Sequence, residues 1–258
     1  MRNPNWTREE LVLAFNLYLQ TEYRKITQTN PDIIQLAARI GRTPGAVSFK
    51  LSNLASLDPV VKSNGKKGHA NAGKATEDIF VEFQNNREAL IFESERILAN
   101  IEGNSIENKY HEQLPDLSNL VGETRERYVK TRVNQNFFRK MILTNYHTKC
   151  AVTGIDLPQL LIASHILPWA ENEQERLNPE NGICLSALYD KAFDQHLISF
   201  DEDYRMILSK NLKEHCTKAY YQNHFGKLEG QEMILPDRGL PGQEFLGLHR
   251  EQIFINNY

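Results

Sequence analysis

The stretch that decides the fold lies between residues 160 and 200, and its informative pieces read LLIASHILPW at 160–169, NPENGICL at 178–185, YDKAFD at 189–194 and LISF at 197–200. The first piece predicts an apolar strand that carries one polar pair, Ser164 and His165. The last piece is also strand-like. Taken singly, these residues have ordinary explanations, because a histidine in an apolar strand is usually a core residue and Asn181-Gly182 is a common hairpin turn.

Two further pieces lie upstream of this stretch. Residues 132–146 (RVNQNFFRKMILTNY) predict an amphipathic helix with a basic face. CAVTG at residues 150–154 predicts a turn. The pieces CAVTG, ASHILPW, RLNPENGICLS, YDKAFD and LISFDEDYR therefore follow one another in a fixed order over about residues 132–210.

This order and spacing resemble the HNH nuclease family, and the tail at residues 234–249 (ILPDRGLP, then FLGLH) also looks familiar for a restriction-endonuclease-like subgroup. The resemblance implies a ββα-metal fold, in which a strand with a histidine, a loop, a strand with an asparagine and a helix follow in sequence. His165 precedes Asn181 by 16 residues, and Asn181 precedes Asp190 by 9. These intervals match the family.

The resemblance implies a role for each of these residues. His165 is the general base, since a neutral imidazole can accept a proton from water near neutral pH. Asn181 bridges the loop and holds His165 in position. Asp190 binds one divalent cation per active site, with Asp194 one helical turn later on the same face. Carboxylate oxygens suit Mg²⁺ or Mn²⁺.

Two departures from the family pattern concern the cation. Many members have an acidic ligand just before the first histidine, where this chain has Ser164. Many have histidine as the third letter of the motif, where this chain has Tyr189 and Asp190. We therefore count Ser164 with Asp190 and Asp194 as metal-site candidates and expect phosphate oxygens and waters to complete the coordination shell. Taken alone, apart from the rest of the motif, Asp190 and Asp194 are simply a solvated helix face.

The N-terminal part of the chain predicts helices. Thr7-Arg-Glu-Glu10 is a capping box ahead of an apolar run with helical spacing. A run at 33–40 ends at Gly41, and Thr43-Pro44 begins another helix. Two helices joined by so short a turn indicate a helix-turn-helix that looks like the Myb/SANT type. This pattern predicts four DNA contacts, Arg42, Thr43, Ser48 and Lys50; the alternative is a helical hairpin that serves packing.

Charge is distributed unevenly along a chain whose net charge is −3. Residues 39–74 and residues 125–149 each carry seven Lys/Arg against one acid, whereas residues 77–123 carry eleven acids and three basic residues. Local basic patches attract phosphates, so we also expect Arg139 and Lys140 to contact DNA. Arg176 either binds phosphate or caps its loop. The basic segments could equally be solvated helix faces.

Composition places the chain among soluble globular proteins of the cytoplasm. The three cysteines are widely spaced without a CxxC pair, so we expect reduced thiols and no structural zinc. No apolar run is long enough to span a membrane. The sequence predicts an α+β architecture: a helical DNA-reading domain at 1–85, an acidic helical connector or linker at 86–124 and a nuclease domain at 125–258. Within it, residues 62–76 predict a basic loop and 102–124 a linker.

These features together predict a metal-dependent endonuclease that hydrolyses DNA phosphodiester bonds, with a role in bacterial restriction or antiviral defence. One such site cuts one strand, so double-strand cleavage implies a homodimer. Two alternatives remain open. The chain could be a DNA-binding protein whose nuclease domain has decayed into a scaffold, or a nuclease gated by a ligand or partner that the N-terminal domain senses.

Overall fold

The computed structural model describes residues 5–63, 71–110, 123–169 and 172–255. The chain divides into two compact units, Met1–Met141 and Ile142–Tyr258. Helices predominate, and two small antiparallel sheets accompany them, which agrees with the α+β class predicted from the sequence. None of the helices in these ranges is long and apolar enough to cross a membrane.

The first unit is helical throughout its described residues. Its helices are α1 Arg8–Leu19, α2 Pro31–Arg39, α3 Pro44–Leu57, α4 Pro59–Ser63, α5 Lys74–Phe83, α6 Arg87–Ile101 and α7 Ile106–Lys109, followed by α8 Glu123–Asn145, which passes the boundary between the units. The unit has one main core, to which α1, α2, α3, α5 and α6 contribute.

Helix α1 is the centre of that core. It begins with the predicted capping box, because the Thr7 side chain accepts from the Glu10 amide and the Glu10 carboxylate accepts from the Thr7 amide. All eight residues from Leu11 to Tyr18 are buried. A helix that is buried nearly all round must be covered on several sides, and α2, α3, α5 and α6 all pack against α1.

Helix α2 ends just before the predicted stop at Gly41, and α3 begins at the predicted Thr43-Pro44 start. Asn30 and Thr43 cap their N-termini through side-chain oxygens, and each helix has proline at its first position. Between them Gly41 adopts a φ of 68°, a left-handed conformation that glycine accepts without a steric penalty. The helix-turn-helix identity of this pair stays a prediction.

Helix α6 lies in the range that the sequence predicts as an acidic connector. Its apolar side chains Leu90 and Ile97 are buried in the core of the first unit, because they form one stripe among its charged residues. The structure thus groups this helix with the preceding ones. Residues 64–70 of the predicted basic loop and 111–122 of the predicted linker lie outside the described residues.

The second unit contains the strands β1 Leu161–His165, β2 Gly182–Ser186, β3 Ile198–Phe200 and β4 Met206–Leu208, together with the helices α9 Ala187–Asp194, α10 Lys210–Lys213, α11 Ala219–His224 and α12 Gln243–Ile255. Strands β1 and β2 are antiparallel, with Leu161 opposite Ser186 and His165 opposite Gly182. Helix α9 follows β2 directly and packs against β1, β2 and β3.

Strand β1 is shorter than the apolar run that predicts it. It ends at His165, although the run continues to Trp169. Beyond His165 the amide of Leu167 donates to the Asn181 side chain instead of to a strand partner, and Pro168 has no amide hydrogen to donate. The chain therefore leaves the sheet immediately after the histidine and places it at a strand end.

Candidate active site

A cavity of about 520 Å³ lies in the second unit beside the end of β1. Its polar lining comes from β1, from α9, from the turn after α9 and from α12. These side chains are Ser164, His165, Asp190, Asp194, Gln195, His196 and His249. The structure thus brings together His165 and all three predicted metal-site candidates, which are up to 30 positions apart in the sequence.

The ring of His165 is oriented by the backbone of the following loop. Its Nε2 lies 3.0 Å from the carbonyl oxygen of Arg176. Because a carbonyl oxygen only accepts hydrogen bonds, Nε2 carries the hydrogen, and Nδ1 carries the lone pair of the neutral ring. Burial lowers the pKa of His165, and the hydrogen bond to the Arg176 carbonyl partly offsets this shift. The ring is therefore neutral and basic near neutral pH.

Arg176 and Trp169 close the loop around this histidine. The Arg176 Nε donates to the carbonyl oxygen of Trp169 at 2.7 Å, and its guanidinium lies 5.3 Å from the Trp169 ring centre. The Trp169 ring also meets the His165 ring edge to face, with centres 5.2 Å apart. These contacts match the loop-capping alternative for Arg176, and a phosphate contact stays a prediction.

Asn181 ties the two ends of the same loop together. Its Oδ1 accepts from the Leu167 amide at 2.8 Å, and its Nδ2 donates to the carbonyl oxygens of Leu167 and Glu175. The residue is only 1% exposed. An unpaired amide would be costly at such a buried position, so these three bonds fix both ends of the loop that follows His165. This arrangement supports the bridging role predicted for Asn181.

Asp190 and Asp194 lie on one face of α9 and line the cavity. Burial raises the pKa of both carboxyl groups, and the charge of Asp194 raises that of Asp190 further. The buried Ser164 hydroxyl has no hydrogen-bond partner of ordinary geometry among the described residues, although it is near enough to lower the pKa of Asp190. Two carboxylates and an unsatisfied hydroxyl form a set of hard oxygen donors.

The donor set for a cation is small. In the described ranges, no three His, Cys, Asp or Glu side chains come together as a metal cluster. Tyr189, one of the two residues at the third motif position, donates its hydroxyl to the His224 carbonyl oxygen at 2.7 Å and is buried, so it serves packing. Asp190 therefore remains the candidate ligand at this position, and a cation here needs oxygens from substrate and water.

Two histidines in the cavity wall were not predicted as site residues. His249 is buried on α12, stacks on Phe193 with ring centres 3.8 Å apart and makes hydrogen bonds to Ser199 and to the Phe193 carbonyl oxygen. His196 lies 4.6 Å from His249 between ring centres and adopts a φ of 53° just after α9. The motif FLGLH was noted in the sequence, but only packing of α12 against β3 reveals where its histidine lies.

The four DNA contacts predicted from the helix-turn-helix pattern belong to the first unit and have internal partners. The Arg42 guanidinium pairs with Glu10 at 2.7 Å, and Thr43 caps α3. The Ser48 hydroxyl donates to a backbone carbonyl at 3.3 Å. The Lys50 ammonium is buried and donates to a threonine hydroxyl. A DNA phosphate would have to compete with these partners.

Arg139 and Lys140 lie on α8, also in the first unit. Arg139 is half-buried, while Lys140 is exposed and pairs with Asp32 at 3.3 Å. An exposed pair of this kind contributes little to stability, so Lys140 can exchange its carboxylate for a phosphate at low cost. The DNA contacts expected of both residues stay predictions.

Comparison with known families agrees with this site. Residues 150–201 match the HNH endonuclease family, and this range contains β1, β2, α9 and the predicted catalytic residues. The match supports an HNH-type nuclease domain in this part of the chain, which implies DNA as substrate and a divalent metal as the general requirement of the family. No curated protein matches the chain significantly.

Proposed function

We propose that the chain is a metal-dependent endonuclease that hydrolyses DNA phosphodiester bonds at the cavity around His165. The observation that carries the proposal is the hydrogen bond from His165 Nε2 to the Arg176 carbonyl oxygen, in a cavity that also contains Asp190 and Asp194. This combination holds a neutral base beside two carboxylates, as hydrolysis of a phosphodiester requires.

His165 acts on water in this proposal. Its Nδ1 accepts one proton from a water molecule, and the resulting hydroxide attacks phosphorus as the bond to the 3′ oxygen breaks. Burial keeps the ring neutral before the reaction because it lowers the pKa of His165. The Arg176 carbonyl stabilises the ring once it becomes positively charged, since the acceptor faces the Nε2–H bond.

Asp190, Asp194 and the Ser164 hydroxyl would hold the cation. When bound, a divalent cation neutralises charge on the phosphate and on the departing oxygen. The raised pKa values of Asp190 and Asp194 fit this assignment, because burial disfavours both carboxylates and the charge of Asp194 raises the pKa of Asp190 further. Oxygen donors favour Mg²⁺ or Mn²⁺ over softer metals.

Asn181 and Arg176 act through His165 and not on the substrate. Asn181 binds both ends of the loop, and Arg176 fastens the loop to Trp169 while its carbonyl orients the base. A shift of the loop would move the ring away from the water it activates. Small misplacements of a catalytic group cost large factors in rate, so both residues are positioning residues.

The proposal is tested by nicking of supercoiled plasmid with Mg²⁺, Mn²⁺ or a chelator. We expect conversion to the open-circular form with either metal and none with the chelator. Cleavage that persists in chelator would overturn the metal requirement. DNA binding without cleavage under any metal would favour the alternative of a decayed nuclease scaffold.

Three finer proposals accompany this function. The helix-turn-helix identity of α2 and α3 is supported by their short turn at Ile40–Thr43. A role in restriction or antiviral defence follows from the subgroup that the motifs resemble. Cleavage of both strands would need two copies of a single site, hence a homodimer. Gating by a ligand that the first unit senses is the remaining alternative.

A further inference from the structure

A second cavity, of about 510 Å³, lies in the first unit and has a positively charged lining. We name it the Lys50 cavity, and its functional side chains are Trp6, Arg42, Lys50, Lys74 and Thr76. It belongs to the helical unit and shares no residue with the cavity around His165. Nothing in the nuclease chemistry proposed above uses it.

Lys50 brings an unbalanced charge to this cavity. The residue is 9% exposed, and its Nζ donates to the Thr76 hydroxyl at 2.9 Å. No carboxylate in the described parts of the chain lies within ion-pair distance of it. Burial and the neighbouring Arg42 both lower the pKa of Lys50. A buried ammonium is normally paired with an anion, and here the described residues supply a neutral oxygen and the face of the Trp6 ring instead.

Arg42 is held rigidly beside it. Its guanidinium pairs with Glu10 and donates to the Asn5 carbonyl oxygen at 2.9 Å. It also lies 4.3 Å from the centre of the Trp6 ring, and the Lys50 ammonium lies 5.2 Å from the same centre. Glu10 offsets the charge of Arg42, so the charge of Lys50 is the one left over. The aromatic ring fixes both cations before any ligand arrives.

We propose that the Lys50 cavity is an anion site that binds a phosphate group. The unmatched Lys50 ammonium and the Lys74 side chain at the cavity wall offer hydrogen-bond donors to phosphate oxygens, and the Arg42 guanidinium, already bonded to Glu10 and Asn5, adds positive charge beside them. The volume exceeds that of a phosphate group and is in the range of small-molecule sites, so a nucleoside attached to the phosphate also fits. The phosphate could belong to a free nucleotide or to the DNA backbone.

Stability distinguishes this role from a structural one. If Lys50 served the fold, its replacement by methionine would lower the melting temperature. If Lys50 serves a ligand, methionine removes an unpaired buried charge while keeping the apolar stem, and the protein is as stable as before or more stable. Any gain in stability is limited because the Thr76 hydroxyl loses its hydrogen-bond partner in this variant.

The experiment uses the fluorescence of Trp6 in the full chain. The sequence contains two tryptophans, so Trp169→Phe leaves Trp6 as the sole reporter. Into this background we titrate inorganic phosphate, AMP and a short DNA duplex in separate arms, without divalent metal. The same titrations are made with Lys50→Met, with Lys74→Met as a second cavity variant, and with the exposed Lys62→Met as control.

We expect saturable fluorescence change with AMP or with the duplex, and affinity at least about thirtyfold weaker in Lys50→Met, because one partner of a buried charge pair is then lost. Lys74→Met should weaken binding by less, and Lys62→Met should match the parent. A response to AMP assigns the site to free nucleotides, and a response to the duplex alone assigns it to backbone phosphate.

Three results overturn the proposal: no saturable response in any arm, unchanged affinity in both cavity variants, or an equal loss in Lys62→Met. A Lys50→Met protein that melts well below the parent also overturns it, since Lys50 would then serve the fold. None of these readouts involves cleavage, so the outcome is independent of whether the His165 site is a nuclease.

Discussion

The Nε2 atom of His165 and the carbonyl oxygen of Arg176 lie 3.0 Å apart, although the two residues are eleven positions apart in the sequence. This one contact decides which nitrogen of the ring is basic. The position of the Arg176 carbonyl depends in turn on Asn181, whose side-chain amide donates to the carbonyl oxygen of Glu175, the residue before Arg176. The base is therefore oriented by backbone atoms that the asparagine holds.

The pH profile of nicking should follow the pKa of His165. Neutral imidazole is the active form, and burial disfavours the charged form, so the pKa lies below the ordinary histidine value of about 6.5. We expect the rate to stay high as pH falls to this value and to decline only at lower pH. Single-turnover nicking rates, measured at a series of pH values on both sides of the ordinary histidine pKa, give this profile. A half-maximal rate above about pH 6.5 would contradict a buried base.

Asn181→Asp should damage both the fold and the activity. The aspartate still accepts from the Leu167 amide, but it offers an oxygen where Nδ2 donated to two carbonyl oxygens. We expect a loss of about 2 kcal/mol in the free energy of unfolding, since buried polar groups are left unpaired. Nicking should fall by about tenfold or more. The control is Asn86→Asp at the exposed N-cap of α6, where the side-chain oxygen accepts from the Ala89 amide and aspartate is equally suitable, and it should be nearly neutral.

Asp190→Asn should remove Mn²⁺ binding, and Asp194→Asn should weaken it less. Asp190 lies beside the Ser164 hydroxyl and feels the charge of Asp194, which places it at the centre of the donor set. Calorimetric titration of Mn²⁺ into each variant and the parent measures the difference. If Asp190→Asn binds Mn²⁺ as well as the parent does, the cation site lies elsewhere.

His249 should make the fold sensitive to acid. Burial lowers its pKa to about 4, whereas the unfolded value is about 6.5. Protonation therefore favours unfolding: the contribution of neutral His249 is complete above about pH 6.5 and is lost as pH falls towards about 4. Between these two pH values the free energy of unfolding therefore changes by on the order of 3 kcal/mol. Urea unfolding at both ends of this range should show a smaller pH effect in His249→Gln, and an equal effect in both proteins would contradict the assignment.

Local signals made much of the fold predictable. The caps at Thr7, Asn30 and Thr43 and the prolines that follow two of them give the first helices nearly to the residue. The site residues are predicted through the resemblance to the HNH family that the intervals between His165, Asn181 and Asp190 carry, and of these three His165 and Asp190 line the cavity.

Tertiary packing explains what the sequence did not reveal. Arg42 and Lys50 look like surface cations in a basic segment, yet both lie against Trp6, some forty positions away in the sequence. The sequence predicts α6 as a helix of a connector, and only its packing against α1 shows that it belongs to the core of the first unit. His249 enters the cavity wall only because α12 packs on β3. None of these contacts has a local signature.

The most direct test of the nuclease proposal is nicking of supercoiled plasmid by His165→Ala under saturating Mn²⁺, with the exposed His215→Ala as control. For His165→Ala we predict that the nicking rate falls by a factor of about 10²–10⁴. Its DNA affinity should stay within about threefold of the parent, because a general base acts on water and not on ground-state binding. For His215→Ala we predict an unchanged rate. If His165→Ala keeps more than about a tenth of the parent rate, well above the range for a lost general base, His165 is not the base and the account of this site is wrong.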